Sequence, residues 1–166
     1  MKHLAEKFPN IKIIQKFTDG APQHFKNYKT ALNLYYHEKD NLVPAEMHFF
    51  PTAHGKGPCD GLGGTIKGTA ARASLRLPAD QQILTTMEFF LWLKNEHHFP
   101  NVTFAYATVT DYTRAERFLK LRFKNSSRIS HIQKQHYILP MGNGMVKCKT
   151  FSASTTSTEN QVIDKL

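Results

Sequence analysis

The reading of this chain turns on two runs, Ile11-Lys12-Ile13-Ile14-Gln15-Lys16-Phe17-Thr18-Asp19-Gly20 and His54-Gly55-Lys56-Gly57-Pro58-Cys59-Asp60-Gly61-Leu62-Gly63-Gly64. The first is rich in β-branched residues and stops at the turn dipeptide Asp19-Gly20, which predicts a strand over 11–17 with an aspartate just past its end. The second is a glycine-rich loop that leads into a helix, with Asp60 at or beside the helix start. A strand that ends on one aspartate and a glycine-rich loop that brings another to a helix start can point two carboxylates into one place. Taken alone, each aspartate has an ordinary role, Asp19 as a turn residue and Asp60 as a helix cap.

Outward from that stretch, Pro22 suits a first helical turn, and Phe25, Tyr28, Leu32 and Tyr35 recur at helical spacing, predicting a helix over 22–38. Val43–Phe50 reads as a second strand, with Pro44 arguing for an edge or a bulge. Further helices are expected over 62–75, 85–96 and 112–123, the last capped by Thr110 or Asp111. Alternation of Val102, Phe104, Tyr106 and Thr108 predicts a strand over 102–110. Two strands, 136–139 and 145–151, flank Met141-Gly142-Asn143-Gly144, a hairpin signal. Residues 1–8 read as the last turns of a helix. Residues 1–151 are expected to form one domain, and the Ser/Thr-rich residues 152–166 a disordered tail. The class is mixed α/β, with a central sheet flanked by helices and a C-terminal β-hairpin.

The chain has 166 residues, enough for a core without disulfides or metals. Its two cysteines, Cys59 and Cys148, are too far apart in sequence for a paired zinc motif, and a disulfide framework is not expected. No signal-peptide core and no run of 18 apolar residues is present, which predicts an intracellular protein without membrane contact. Lysine and arginine exceed aspartate and glutamate by 22 − 13 = 9. That surplus predicts attraction to polyanions, nucleic acid before acidic membrane surfaces.

The chemistry rests on the acids. Asp60 follows Asp19 with 40 residues between them. Two carboxylates about 4 Å apart repel by roughly 4 kcal/mol at an effective dielectric of 20, so such a pair calls for a cation or a shared proton. Hard oxygen ligands on rigid elements suit Mg²⁺ or Mn²⁺. Lys12, Lys16, Lys26, Lys29, Lys56 and Lys67 surround the stretch, as a phosphate backbone would require.

The run Phe17-Thr18-Asp19-Gly20, continued by Gln23 and by Phe25-Lys26-Asn27-Tyr28-Lys29, resembles the second-aspartate motif of DDE-type transposases of animal mobile elements. Ala45-Glu46-Met47-His48-Phe49-Phe50, with His54-Gly55-Lys56-Gly57, Asp60-Gly61 and Gly63-Gly64-Thr65-Ile66-Lys67, resembles the segment bearing their third acidic residue. The resemblance covers about residues 11–76. It implies an RNase H-like fold in which acidic residues bind Mg²⁺ and cut and join DNA strands. On that resemblance Asp19 and Asp60 are catalytic and metal-binding residues, and His54 is a polar helper. The family's first aspartate, on an earlier strand, has no counterpart here: residues 1–18 offer only Glu6. The expectation is therefore a fragment or a domesticated remnant, truncated at its N-terminus and doubtful as an enzyme.

The expected partner is DNA, or RNA, with a homo-oligomer allowed and a nuclear location expected if DNA is bound. Nucleic-acid contacts are expected from Lys26, Lys29, Lys56, Lys67, Arg72, Arg114 and Arg117. The stripe Arg114, Arg117, Lys120, Arg122 and Lys124, interleaved with Tyr112, Phe118 and Phe123, adds to them. The rival reading is a non-catalytic basic nucleic-acid-binding module with the acids as turn and cap residues. A third is a small hydrolase using His54 and the glycine loop. That loop does not meet the Walker pattern, since neither Ser nor Thr follows Lys56, and Gly61-Leu62-Gly63 lacks the third glycine of a dinucleotide fingerprint. His97-His98 at a helix end reads as carbonyl capping rather than a metal site.

Overall fold

The computed structural model describes residues 6–50, 57–95 and 99–163. The chain divides into two compact units, one made of residues 1–55 and 118–166, the other of residues 56–117. The class is mixed α/β, as expected, built on an open five-stranded mixed sheet that belongs to the first unit.

In the first unit β1 (Ile14–Thr18) leads through α1 (Tyr28–Tyr35) and α2 (His37–Asn41) to β2 (Ala45–Phe49), which runs parallel to β1. β3 (Tyr137–Pro140), β4 (Met145–Lys149) and β5 (Thr158–Gln161) follow as an antiparallel meander, so the spatial order equals the chain order. Pro44 immediately precedes β2 and its carbonyl accepts from the Ile14 N–H at 2.9 Å. A proline ahead of the first ladder residue removes no needed donor, so β2 sits between β1 and β3 and is not the edge that Pro44 suggested.

The helix expected over 22–38 begins late because Asn27 caps it, its side chain accepting from the Thr30 N–H at 3.0 Å. Residues 21–25 form turns closed by bonds to the Ala21 carbonyl. α1 buries Ala31, Leu32 and Leu34 against one face of the sheet, where Ala45, Met47, Phe49, Ile138, Val146 and Cys148 meet them. The hairpin forms at its predicted place. Asn143 (φ 59°) and Gly144 (φ 75°) take the left-handed conformations that a tight Asn-Gly turn requires, and the Met145 N–H closes on the Gly142 carbonyl.

The Ser/Thr-rich tail expected to be disordered instead carries β5. Val162 is fully buried and its N–H donates to the Gly144 carbonyl at 2.8 Å, while Ile163 bridges Ser126. Two adjacent apolar residues at the end of a polar segment suffice to dock it, and the threonine-containing strand supplies the ladder for β4.

The second unit contains α3 (Pro58–Ser74), a short 3₁₀ turn over Ala79–Gln81, α4 (Thr86–Asn95) and the start of α5 (Val109–Arg122), the helix that runs on into the first unit. Pro58 occupies the first turn of α3, where a missing N–H is harmless. α4 opens on a reciprocal cap in which Thr85 accepts from the Glu88 N–H and Glu88 accepts from the Thr85 N–H. α5 opens the same way with Thr108 and Asp111, two or three residues ahead of the expected cap at Thr110 or Asp111. The strand predicted over 102–110 does not form. Its alternating aromatics pack locally instead, Tyr106 against Phe90 and Phe104 against Phe99, and among the described residues no strand lies alongside to complete a ladder.

Candidate nucleic-acid interface

Asp19 sits just past β1, exposed, and its Oδ1 accepts from the Ala21 N–H at 3.2 Å and the Thr18 hydroxyl at 3.3 Å. The next residue, Gly20, is buried at φ 74°, and a Cβ there would lie 2.9 Å from Lys26 Cε. This is an aspartate-stabilised turn before a left-handed glycine. Asp60 lies in the first turn of α3, three residues beyond the cap position Gly57, and its Oδ2 accepts from the Gly57 N–H at 3.2 Å. Each acid thus holds the backbone of its own unit, Asp19 in the first and Asp60 in the second. Among the described residues no three His, Cys, Asp or Glu side chains gather as a metal would require. His54, Lys56 and His97-His98 lie outside the described residues.

The lysines separate by burial. Lys26, expected to face phosphate, is only 7% exposed: its Nζ donates to the Gln133 carbonyl at 3.1 Å and lies 3.5 Å from His136 Nε2 and 5.1 Å from the Phe49 ring centre. Burial lowers its pKa, as it does for Lys16. The expectation for Lys26 is therefore corrected: its ammonium ties β2 and the segment before β3 together. Lys29 is exposed, with its Nζ 5.5 Å from the Phe123 ring centre, and so brings the start of α1 to the turn after α5. Lys67 and Arg72 are exposed on α3, Arg72 reaching the Thr69 hydroxyl. Arg114 and Arg117 are exposed on α5 and line an open hollow of about 370 Å³ with Val109, Thr110 and Thr113.

Further along α5, Arg122 is committed internally. It pairs with Asp40 at 2.8 Å, donates to Asn33 at 3.2 Å, and lies 4.6 Å from the ring centres of both Tyr36 and Phe118. This clamp fixes α5 to α1 and α2 and neutralises the nearby Asp40. Lys29, Lys120, Lys124 and Arg128 are exposed in the same unit, and Phe118 is 53% exposed. The charge is unevenly shared between the units. Residues 1–55 and 118–166 hold 15 Lys+Arg and 7 Asp+Glu, 15 − 7 = +8, against 7 − 6 = +1 for residues 56–117.

The sheet face opposite α1 carries a buried acid outside the Asp19 and Asp60 pair. Glu46, 8% exposed, accepts from Gln15 Nε2 at 2.6 Å and from the Tyr137 hydroxyl at 2.7 Å, and bonds His48 Nε2 at 3.0 Å. Burial alone would raise its pKa, but the bonds from Tyr137, His48 and Gln15 outweigh it and hold the carboxyl below its ordinary value. The same contact, added to burial, pushes the Tyr137 hydroxyl up to about 12. The signal was present in Ala45-Glu46-Met47-His48-Phe49, whose period of two puts Glu46 and His48 together on one face.

The molecule is thus a mixed α/β protein whose positive charge is concentrated on the unit that holds the sheet. The chain belongs to the family described as Domain of unknown function (DUF8701), whose model matches residues 1–152. Neither a search of curated proteins nor a search of solved structures finds a match. Among the described residues, no helix is long and apolar enough to cross a membrane.

Proposed function

We propose that this protein is a nucleic-acid-binding domain of the DDE-type transposase lineage, RNase H-like in descent, that holds DNA through the surface of its first unit without cutting it. The observation that carries the reading is the +8 charge of that unit, with Lys29, Lys120, Lys124 and Arg128 exposed and Lys29 set against the Phe123 ring. Phosphate contacts of this kind give affinity that is largely independent of sequence and falls with salt. Descent from the transposase lineage is supported by the motif at Asp19 and by the parallel β1–α1–β2 unit that delivers Asp19 past a strand end. The non-cutting half is supported by the acids themselves, both engaged with backbone N–H groups.

The test is fluorescence anisotropy of a labelled duplex against the wild type, Lys29→Gln/Lys124→Gln and Lys26→Gln. The first variant should weaken binding several-fold and the second should leave it unchanged. Equal effects of the two, or no binding at about 50 mM salt, would overturn the reading. A Mg²⁺-dependent nicking assay on the same duplex should stay blank.

A further inference from the structure

The sheet face opposite α1 presents one row of side chains in direct cross-strand register: Phe17 on β1 faces His48 on β2, His48 faces Tyr137 on β3, and Tyr137 faces Lys149 on β4. Neighbouring strands lie about 4.8 Å apart, so the row spans about 14 Å. Its rings touch in sequence. Phe17 stacks on His48 at 4.6 Å and 16°, His48 meets Tyr137 edge-on at 4.9 Å, and Lys149 Nζ lies 5.7 Å from the Tyr137 ring centre. Phe50 joins from the end of β2, 5.8 Å from Phe17. Both ring neighbours of Phe17 thus come from the β2 side, and Phe17 is 56% exposed. Among the described residues, β1 has no strand on its other side.

Beside the row on the same face, Glu46 holds two of the rings in place through His48 Nε2 and the Tyr137 hydroxyl. Rings fixed before binding lose little freedom on binding. An exposed phenylalanine on an edge strand, backed by immobilised rings and ended by a lysine, is costly to leave in water and has no part in the core. Lys147, one row away, faces Glu159 across β4 and β5, so the cation aligned with the rings is Lys149.

We propose that this row is a stacking platform for the bases of single-stranded DNA, with Phe17 as the exposed stacking surface and Lys149 meeting the phosphate backbone. The inference rests on the nucleic-acid reading above and assigns that function a substrate form. Single strands expose base faces and duplexes do not, and aromatic rings in a positively charged field recognise such faces without regard to sequence. The helical cations Lys29 and Lys124 meet phosphates of either form.

The test compares a dT oligonucleotide of about 20 nucleotides with a duplex of the same length, on the full chain. Phe17→Ala should cost the single strand roughly 5- to 150-fold, the range of one lost stacking contact, and leave the duplex unchanged. Phe17→Leu, which keeps apolar bulk, should match Phe17→Ala, and Phe17→Tyr should restore binding. Lys29→Gln/Lys124→Gln should weaken both forms alike. A Phe17→Ala loss equal on both forms, or none, overturns the platform while the nucleic-acid reading stands. Absence of wild-type binding to either form overturns both. Circular dichroism and melting of each variant show whether a loss reflects unfolding, and Phe17→Leu carries the test if Phe17→Ala fails to fold.

Discussion

Replacing Glu46 with glutamine keeps the shape of the side chain and removes the charge around which three neighbours are arranged. The carboxylate takes three bonds, from Gln15, His48 and Tyr137, at 2.6, 3.0 and 2.7 Å. Hydrogen bonds to a charged acceptor contribute roughly 1.5–3 kcal/mol each, against about 0.5–1.5 between neutral groups. An amide keeps one acceptor oxygen and turns an NH₂ toward the remaining donors. Because His48 and Tyr137 are only partly buried, water relieves some of the loss, and a net destabilisation of about 2–3 kcal/mol is expected.

The pH dependence has a defined sign. Glu46 has a folded pKa below its ordinary 4.5, so its contribution is complete above pH 4.5 and is lost as pH falls through the lower folded value. Tyr137 has a folded pKa raised from 10 to about 12, so its contribution is complete below pH 10 and is lost as pH rises toward 12. Urea denaturation followed across pH should therefore show Glu46→Gln with a flatter acid limb than wild type. Ultraviolet titration should show its last tyrosine moving down from about 12, though burial keeps it above 10. A stability change under about 0.5 kcal/mol, the scale of an ordinary surface substitution, together with an unmoved tyrosine titration, would refute this account of the network.

Gly20→Ala forces a left-handed residue and a Cβ 2.9 Å from Lys26, and should cost about 1–3 kcal/mol in urea unfolding. Cleavage of the chain after residue 157 removes β5 and buried Val162, and should lower the melting temperature by several degrees, where a disordered tail would leave it unchanged. Millimolar Mg²⁺ should not shift the melting temperature. A rise of the size linkage gives, about 2.7 kcal/mol at a hundredfold excess over the dissociation constant, that Asp19→Asn/Asp60→Asn abolishes would restore the metal reading.

Local signals in the sequence carried most of the first unit. The β-branched run before Asp19-Gly20 became β1, and Asn143-Gly144 became the hairpin turn because only such residues accept two positive φ angles cheaply. What escaped was set by pairing over distance. Nothing local distinguishes Thr158–Gln161 from a solvated linker; β4 turns it into a strand, and Val162 anchors it. Val102–Thr108 alternates like a strand and, among the described residues, has no ladder to join. At the candidate interface the surplus charge was readable, but Lys26 and Lys29, three residues apart, differ in which side of the chain meets the core. The Glu46 network was half visible as a period of two, and Tyr137, 91 residues away, completed it.

The central claim is that exposed cations of the first unit grip phosphates, and the salt dependence of duplex binding tests it most directly. With Lys29, Lys120, Lys124 and Arg128 engaged, log K against log salt should fall with a slope of about −3.6, and Lys29→Gln/Lys124→Gln should reduce its magnitude by about 1.8. A slope near zero, or one that this double substitution leaves untouched, would contradict the claim.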